Sequence, residues 1–241
     1  MKYIYENEQK NYQDFASGRV LYNQKGATAF PVRLASEIFL RSKAYLEERG
    51  HDGTITIYDP FCGGAYLLTV LGFLHGRYLS RIIASDIDEN ILNLARRNLA
   101  LLTTDGLEQR IEEIKNNLLL YGKESHEEAL ESALSLKALQ ADINKGLEIE
   151  CFQADAGKAQ LPAGEKVDLI LTDLPYGQIT HWSNAGENTL DLFLENIEPL
   201  LKPTSILAII SVKEQKIEHS RYNRIKHFTV GKRRISFLEL K

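Results

Sequence analysis

The run Leu171-Thr172-Asp173-Leu174-Pro175-Tyr176-Gly177 ends an apolar stretch in a turn that carries one carboxylate and one aromatic ring. Asp173 can accept hydrogen bonds from a nitrogen donor. The Leu174 carbonyl is a second acceptor, held outward because Pro175 fixes its own φ and restricts the residue before it. The Tyr176 ring offers a face on which an extruded base can stack, a contact worth roughly 1–3 kcal/mol in single-strand binders. A carboxylate suits guanine, whose N1–H and N2–H donors lie side by side, better than adenine, which pairs its amine with an acceptor. An aspartate with an ordinary pKa of about 3.9 is a poor base, so Asp173 is expected to orient a nitrogen whose proton leaves after transfer. His181 and Trp182 follow on the same loop. Either can hold the base or its neighbouring nucleotides, or serve only to anchor the loop.

A second constellation, Asp59-Pro60-Phe61-Cys62-Gly63-Gly64-Ala65, follows a strand and opens a helix. Glycine without a Cβ lets the backbone approach a nucleotide-like ligand there. The pattern is neither the dinucleotide fingerprint nor a phosphate loop, which argues against NAD and ATP. Asp86, at the next strand end, sits where an acid holds ribose hydroxyls. Asp88 is read as a helix cap, and Asp155 as an acceptor for an adenine amino group. Cys62 lies at this turn and not beside Asp173, which disfavours covalent catalysis.

These residues need a sheet to position them. Strands are expected at residues 54–59, 81–86, 147–155, 166–173 and 206–211, alternating with helices at 30–49, 65–76, 88–102 and 188–202, with Asp88 and Asn188 as N-caps. Alternation of this kind means an α/β fold with a mostly parallel sheet covered on both faces. The first four strands end on Asp59, Asp86, Asp155 and Asp173, at the carboxyl ends where open sheets bind ligands. Residues 103–146 break the alternation with two acidic amphipathic runs, read as a helical insertion within a single domain over 1–241. Residues 225–230 and 233–240, joined at Gly231-Lys232, read as a C-terminal antiparallel hairpin. The polar residues 1–28 wrap the surface or cover the crevice.

The chain has 241 residues and a formal net charge of −4, enough length to bury a full core. From residue 211 to the end, nine Lys and Arg against three Glu leave +6, so the rest carries −10. An acidic body with one basic face can grip nucleic acid, although a basic run is also an ordinary solvated end. Lys232, Arg233 and Arg234 at the hairpin turn are the leading candidates, with Arg19 and Arg33 as further ones, although Arg33 can equally pair with a core-edge acid. Two cysteines make neither a disulfide framework nor a zinc cluster, so no metal is expected. No stretch reaches the roughly 18 apolar residues of a membrane span, and a cytoplasmic monomer is expected.

Together these pieces resemble the class I S-adenosylmethionine-dependent methyltransferases and, within them, the avilamycin-resistance ribosomal RNA methyltransferases, AviRa. The resemblance spans nearly the whole chain. It is carried by residues 17–21 and 29–39, by Tyr66-Leu67-Leu68-Thr69-Val70-Leu71-Gly72, by Ala84-Ser85-Asp86-Ile87-Asp88, by the helical insertion, and by residues 171–177 with Thr180-His181-Trp182. It implies a Rossmann-like seven-stranded sheet. It implies S-adenosylmethionine at Asp59, Cys62, Gly63, Gly64, Asp86, Ile87 and Asp155, with S-adenosylhomocysteine as product. It also implies methylation of guanine N2 in 23S rRNA or the large ribosomal subunit, with resistance to orthosomycin antibiotics. Ala65 departs from related enzymes, which often carry a further glycine there. Two alternatives stand beside it: an amino-methyltransferase acting on adenine or on DNA, and a non-catalytic ribosome-assembly factor with the same fold.

Overall fold

A computed structural model describes residues 2–23, 29–158, 165–175 and 189–241. Among these, seven strands form one sheet in the order β3-β2-β1-β4-β5-β7-β6. The strands are β1 (Ile55–Asp59), β2 (Leu79–Asp86), β3 (Glu148–Gln153), β4 (Val167–Asp173), β5 (Leu201–Val212), β6 (Tyr222–Val230) and β7 (Arg233–Leu240). The first five pair in parallel, and β7 enters antiparallel between β5 and the edge strand β6. This is the mixed sheet with a C-terminal hairpin that the alternation predicted. Strand order reverses between β1 and β4, which makes their carboxyl ends the topological switch point where such sheets bind ligands.

Among the described residues six α-helices cover the sheet: α1 (Val32–Glu48), α2 (Tyr66–His75), α3 (Glu89–Ala100), α4 (Thr104–Tyr121), α5 (Glu124–Gln140) and α6 (Thr189–Ile197). Ile55, Ile57, Leu169, Leu171, Ala208 and Ile210 face a core shared with α1 through α5. The intervening Tyr58, Ile170, Leu207 and Ile209 pack with Phe193, Leu194 and Ile197 of α6 on the other face. Period-two alternation along buried strands produces this split.

Local chemistry sets the ends of the helices. Asp88 caps α3, its carboxylate accepting from the Asn90 N–H at 2.9 Å. Thr103 caps α4, accepting from Gly106 N–H at 3.2 Å. Gly122, at φ +57°, ends α4 and donates to the Leu118 carbonyl, turning the chain back into α5. The α4–α5 pair occupies the stretch that interrupts the sequence alternation.

Two expectations need correction. The sixth helix stops at Ile197, followed by a 3-10 turn at Glu198–Leu200, and β5 begins at Leu201 instead of 206. Between Val167↔Leu201 and Leu169↔Ile206 the register shifts, so residues 202–205 bulge. Ser205 Oγ closes that bulge, donating to the Val167 carbonyl and accepting from Lys202 N–H. Pro203 is tolerated because a bulge demands no ladder donor there. The third strand likewise stops at Gln153, leaving Asp155 two residues beyond it. The proposed cap Asn188 lies outside the described residues.

Candidate active site

The alternation that divides the core also aims the acids. Asp59 continues the series 55, 57; Asp86 continues 82, 84; Asp173 continues 169, 171; all project from the face covered by α1, α2 and α3. Asp59 and Asp173 line one cavity of about 210 Å³ together with Gly63, Gly64, Tyr22 and Phe30. The two constellations read separately in the sequence therefore meet at the switch point.

Asp59 is 2% exposed. One of its oxygens accepts from Thr172 Oγ1 at 2.6 Å and from Phe61 N–H at 3.0 Å, which ties the end of β4 to the turn after β1. Burial, with lesser contributions from the Asp173 and Asp86 charges, pushes its carboxyl up to about 7. Leu174 continues the β4 ladder by donating to the Ile210 carbonyl at 2.9 Å, which fixes the strand end on which Asp173 sits.

The glycine turn has two different needs. Gly63 is left-handed, φ +50°, and its N–H donates to Asp86 Oδ2 at 2.9 Å. A Cβ there would touch nothing, so conformation alone calls for glycine. Gly64 lacks that constraint, but a Cβ on it would come within 2.9 Å of Leu94 Cδ2 on α3. Ala65 adopts φ +53° without being glycine, a conformation that costs a side-chain-bearing residue about 1–2 kcal/mol.

Asp86 accepts from Gly63 N–H with one oxygen and from Asp88 N–H at 3.0 Å with the other, leaving lone pairs on each for ribose hydroxyls. Ile87 beside it is 60% exposed, an apolar surface against which an adenine can lie. Ile87 and Asp155 line a second cavity of about 440 Å³ with Gln153, Ala154 and Lys158. Asp155 also caps the turn after it, accepting from Gly157 N–H at 2.9 Å. Cys62 is buried, and its hydrogen bond with Cys151, then burial, pushes its thiol up, the opposite of what a nucleophile needs.

The sequence reasoning missed Asn98. It is 1% exposed on α3. Its amide accepts from Tyr22 N–H at 2.8 Å and donates to the Tyr22 carbonyl at 3.1 Å and the Gly64 carbonyl at 2.8 Å. One side chain thus clamps the N-terminal segment onto the glycine turn. The signal available was an asparagine three residues after Ala95 on the apolar face of α3.

The basic candidates divide. Arg19 pairs with Glu128 of α5, and Arg33 donates to the Glu6 carbonyl at 3.0 and 2.7 Å while lying 4.1 Å over the Tyr3 ring. Both are engaged in fastening the N-terminal segment. Ser211↔Arg234 and Val212↔Arg233 place the hairpin turn at the crevice end of the sheet. Arg233 lies 5.1 Å over the ring of Phe30, which lines the first cavity. Lys232 is exposed beside it, and Arg234 Nε donates to the Lys213 carbonyl at 3.0 Å. Tyr176, Gly177, Thr180, His181 and Trp182 lie outside the described residues.

The family of rRNA methyltransferase AviRa matches residues 1–233. The chain belongs to that family. It is 36% identical over 236 residues, 96% of its length and 93% of the relative's, to the 23S rRNA (guanine(2535)-N(1))-methyltransferase of Streptomyces viridochromogenes. The solved structure of rRNA methyltransferase aviRa from the same organism superposes with a TM-score of 0.88 at 36% identity, covering 99% of this chain and 96% of that one. TrmN from Thermus thermophilus shares the fold alone, with a TM-score of 0.55 at 19% identity, over 89% of this chain and 50% of its own. These are class I methyltransferases, and the cofactor of this AviRa-family protein is S-adenosylmethionine. The residues fit it. Asp86 is free to accept ribose hydroxyls, Ile87 offers an apolar wall, and the left-handed Gly63 opens the turn. When bound, the cofactor supplies an electrophilic methyl group on a sulfonium.

Proposed function

We propose that this AviRa-family enzyme methylates a guanine of 23S rRNA, and that the nitrogen is N1. The observation that carries the reading is Asp173 beside Asp59 at the switch point, in one cavity with the glycine turn. The relative at 36% identity is named for guanine N1, where the sequence resemblance implied N2. Asp173 suits either position, since guanine offers both donors on one edge. At N1 the nitrogen's lone pair is tied into the ring until the proton leaves, so an acceptor aimed at N1–H has more to do than at an exocyclic amine.

Asp173 orients the base edge, the Leu174 carbonyl adds an acceptor, Pro175 stiffens the turn, and Tyr176 stacks the extruded base. Lys232 and Arg234 meet the phosphates from the hairpin end of the crevice, with Arg233 on its rim. The substrate is the 23S rRNA or the large subunit, in the cytoplasm where ribosomes are built.

The test is to incubate the enzyme with labelled cofactor and unmodified 23S rRNA, then map the product by reverse transcription and nucleoside mass spectrometry. N1 lies on the pairing edge, so its methylation stops the transcriptase, whereas an N2 methyl still permits pairing. N2-methylguanine overturns the position, and methylated adenine overturns the base. Asp173→Ala is expected to lose transfer by more than about a hundredfold, the range of a single positioned acid–base group, while calorimetric cofactor binding persists.

A further inference from the structure

The first cavity has an unusual charge. Asp59 of β1 and Asp173 of β4 line it, and Asp86 of β2 borders it through its hydrogen bond to Gly63. Among the described residues that line it there is no Lys, Arg or His. Arg233 stands at its rim, over the Phe30 ring, and the other polar groups around Asp59 are neutral at ordinary pH. Thr172 Oγ1 donates to it. The Tyr58 hydroxyl of its own strand is held by Ser85 Oγ at 2.8 Å, and the Tyr66 hydroxyl of α2 donates to the Phe15 carbonyl at 2.7 Å. The Cys62 thiol is held by Cys151 of β3, and Asn98 of α3 carries no charge. Asp59 is thus a buried carboxyl facing two other acids, with the Arg233 cation at the cavity rim and none among the described lining residues.

From this juxtaposition we infer that Asp59 is a proton-exchanging sensor of the cofactor's charge: it is protonated in the free enzyme, gives up its proton when the sulfonium cofactor binds, and regains one when the neutral thioether product remains. Burial alone makes an unpaired carboxylate costly, and a cation brought into the same cavity removes that cost. The carboxyl of Asp59, pushed up to about 7 by burial, titrates in the range where this exchange is measurable. Asp59 then discriminates between substrate and product, two ligands that differ by one methyl group and one charge. The balance closes. The methyl carbon leaves sulfur and bonds to the acceptor nitrogen, the nitrogen loses one proton, and Asp59 takes one up, so the cavity ends with the charge it had before the cofactor entered. This exchange belongs to the cofactor end and is independent of which base is methylated.

Isothermal titration calorimetry in buffers of different ionisation enthalpy counts the protons directly. The working range is pH 6 to 7.5, chosen below the titration of the ligand's own amine. Wild-type enzyme is expected to release about 0.9 proton per bound S-adenosylmethionine at pH 6 and about 0.2 at pH 7.5. Its affinity should rise about eightfold over that range, following the ionised fraction of Asp59. S-adenosylhomocysteine, which carries the same amine and carboxylate, should release almost none. Asp59→Asn should abolish the proton release. Asp173→Asn should keep it but move it to lower pH, because one like charge is gone. Equal proton counts for the two ligands in the wild type overturn the inference whether or not Asp59→Asn folds, as does proton release that persists in a folded Asp59→Asn.

Discussion

Asp59→Asn should stabilise the cofactor-free protein, and more so as pH rises. In the folded state burial pushes the carboxyl from 3.8 up to about 7, with the Asp173 and Asp86 charges adding to the shift. The unfolded chain ionises near 3.8, while the folded protein keeps its proton until about 7. The contribution of Asp59 is therefore fully present below about pH 4, is lost as pH rises through 7, and stays lost above. Asparagine retains an oxygen acceptor for Thr172 and the Phe61 N–H, and it cannot ionise. Its own cost, an amide N–H group needing a partner, is the same at every pH and cancels in a comparison. Between pH 5 and pH 8 about two pH units lie below the folded pKa, at about 1.4 kcal/mol each, so the stability gap between variant and wild type should widen by about 3 kcal/mol. For a chain of this size that is a relative change of melting temperature on the order of 10 °C. Urea unfolding followed by circular dichroism at the two pH values measures it. A gap that does not change with pH would refute the reasoning, because it would mean that Asp59 is ionised in the folded protein or reaches water.

The other predictions concern the parts that hold this site. His75, stacked on Phe39 at 4.8 Å and 2.8 Å from Ser36 Oγ, is lowered by burial to about 4. The unfolded chain binds its proton first, so stability should fall by about 3 kcal/mol as pH drops from 6.5 to 4, and His75→Gln should flatten that limb in urea titrations. Asn98→Ala leaves the Tyr22 N–H and two carbonyls without their partner; it should cost about 2–4 kcal/mol and weaken cofactor binding by about tenfold in calorimetry. Unchanged cofactor affinity would mean that the clamp does not shape the cavity. Replacing Lys232 and Arg234 together by Ala should reduce the slope of log affinity for a 23S fragment against log salt by about 1.4 to 1.8, two phosphate contacts' worth. An unchanged slope would locate the RNA grip elsewhere.

The sequence by itself determined the order of strands and helices, the two motifs, and the strand ends that carry Asp59, Asp86 and Asp173, because alternation, caps and turn residues act over a few neighbours. The membership in the AviRa family was legible for the same reason, since its motifs are short and local. Element ends that depend on a partner strand were not. The start of β5 at Leu201 is set by Val167 across the sheet, and no pattern within 201–205 reports it. Only the tertiary structure decided that the two motifs share one cavity, because that follows from β1 and β4 being neighbours though more than a hundred residues apart in sequence. It also decided what each charge does. Arg19 and Arg33 read as cations available to RNA, yet each found a partner contributed by a distant segment. Asp59 read as one more strand-end ligand, yet burial, with the nearby acids adding to it, pushes its carboxyl well above the usual range, since solvation is a property of the assembled surroundings and not of the residue.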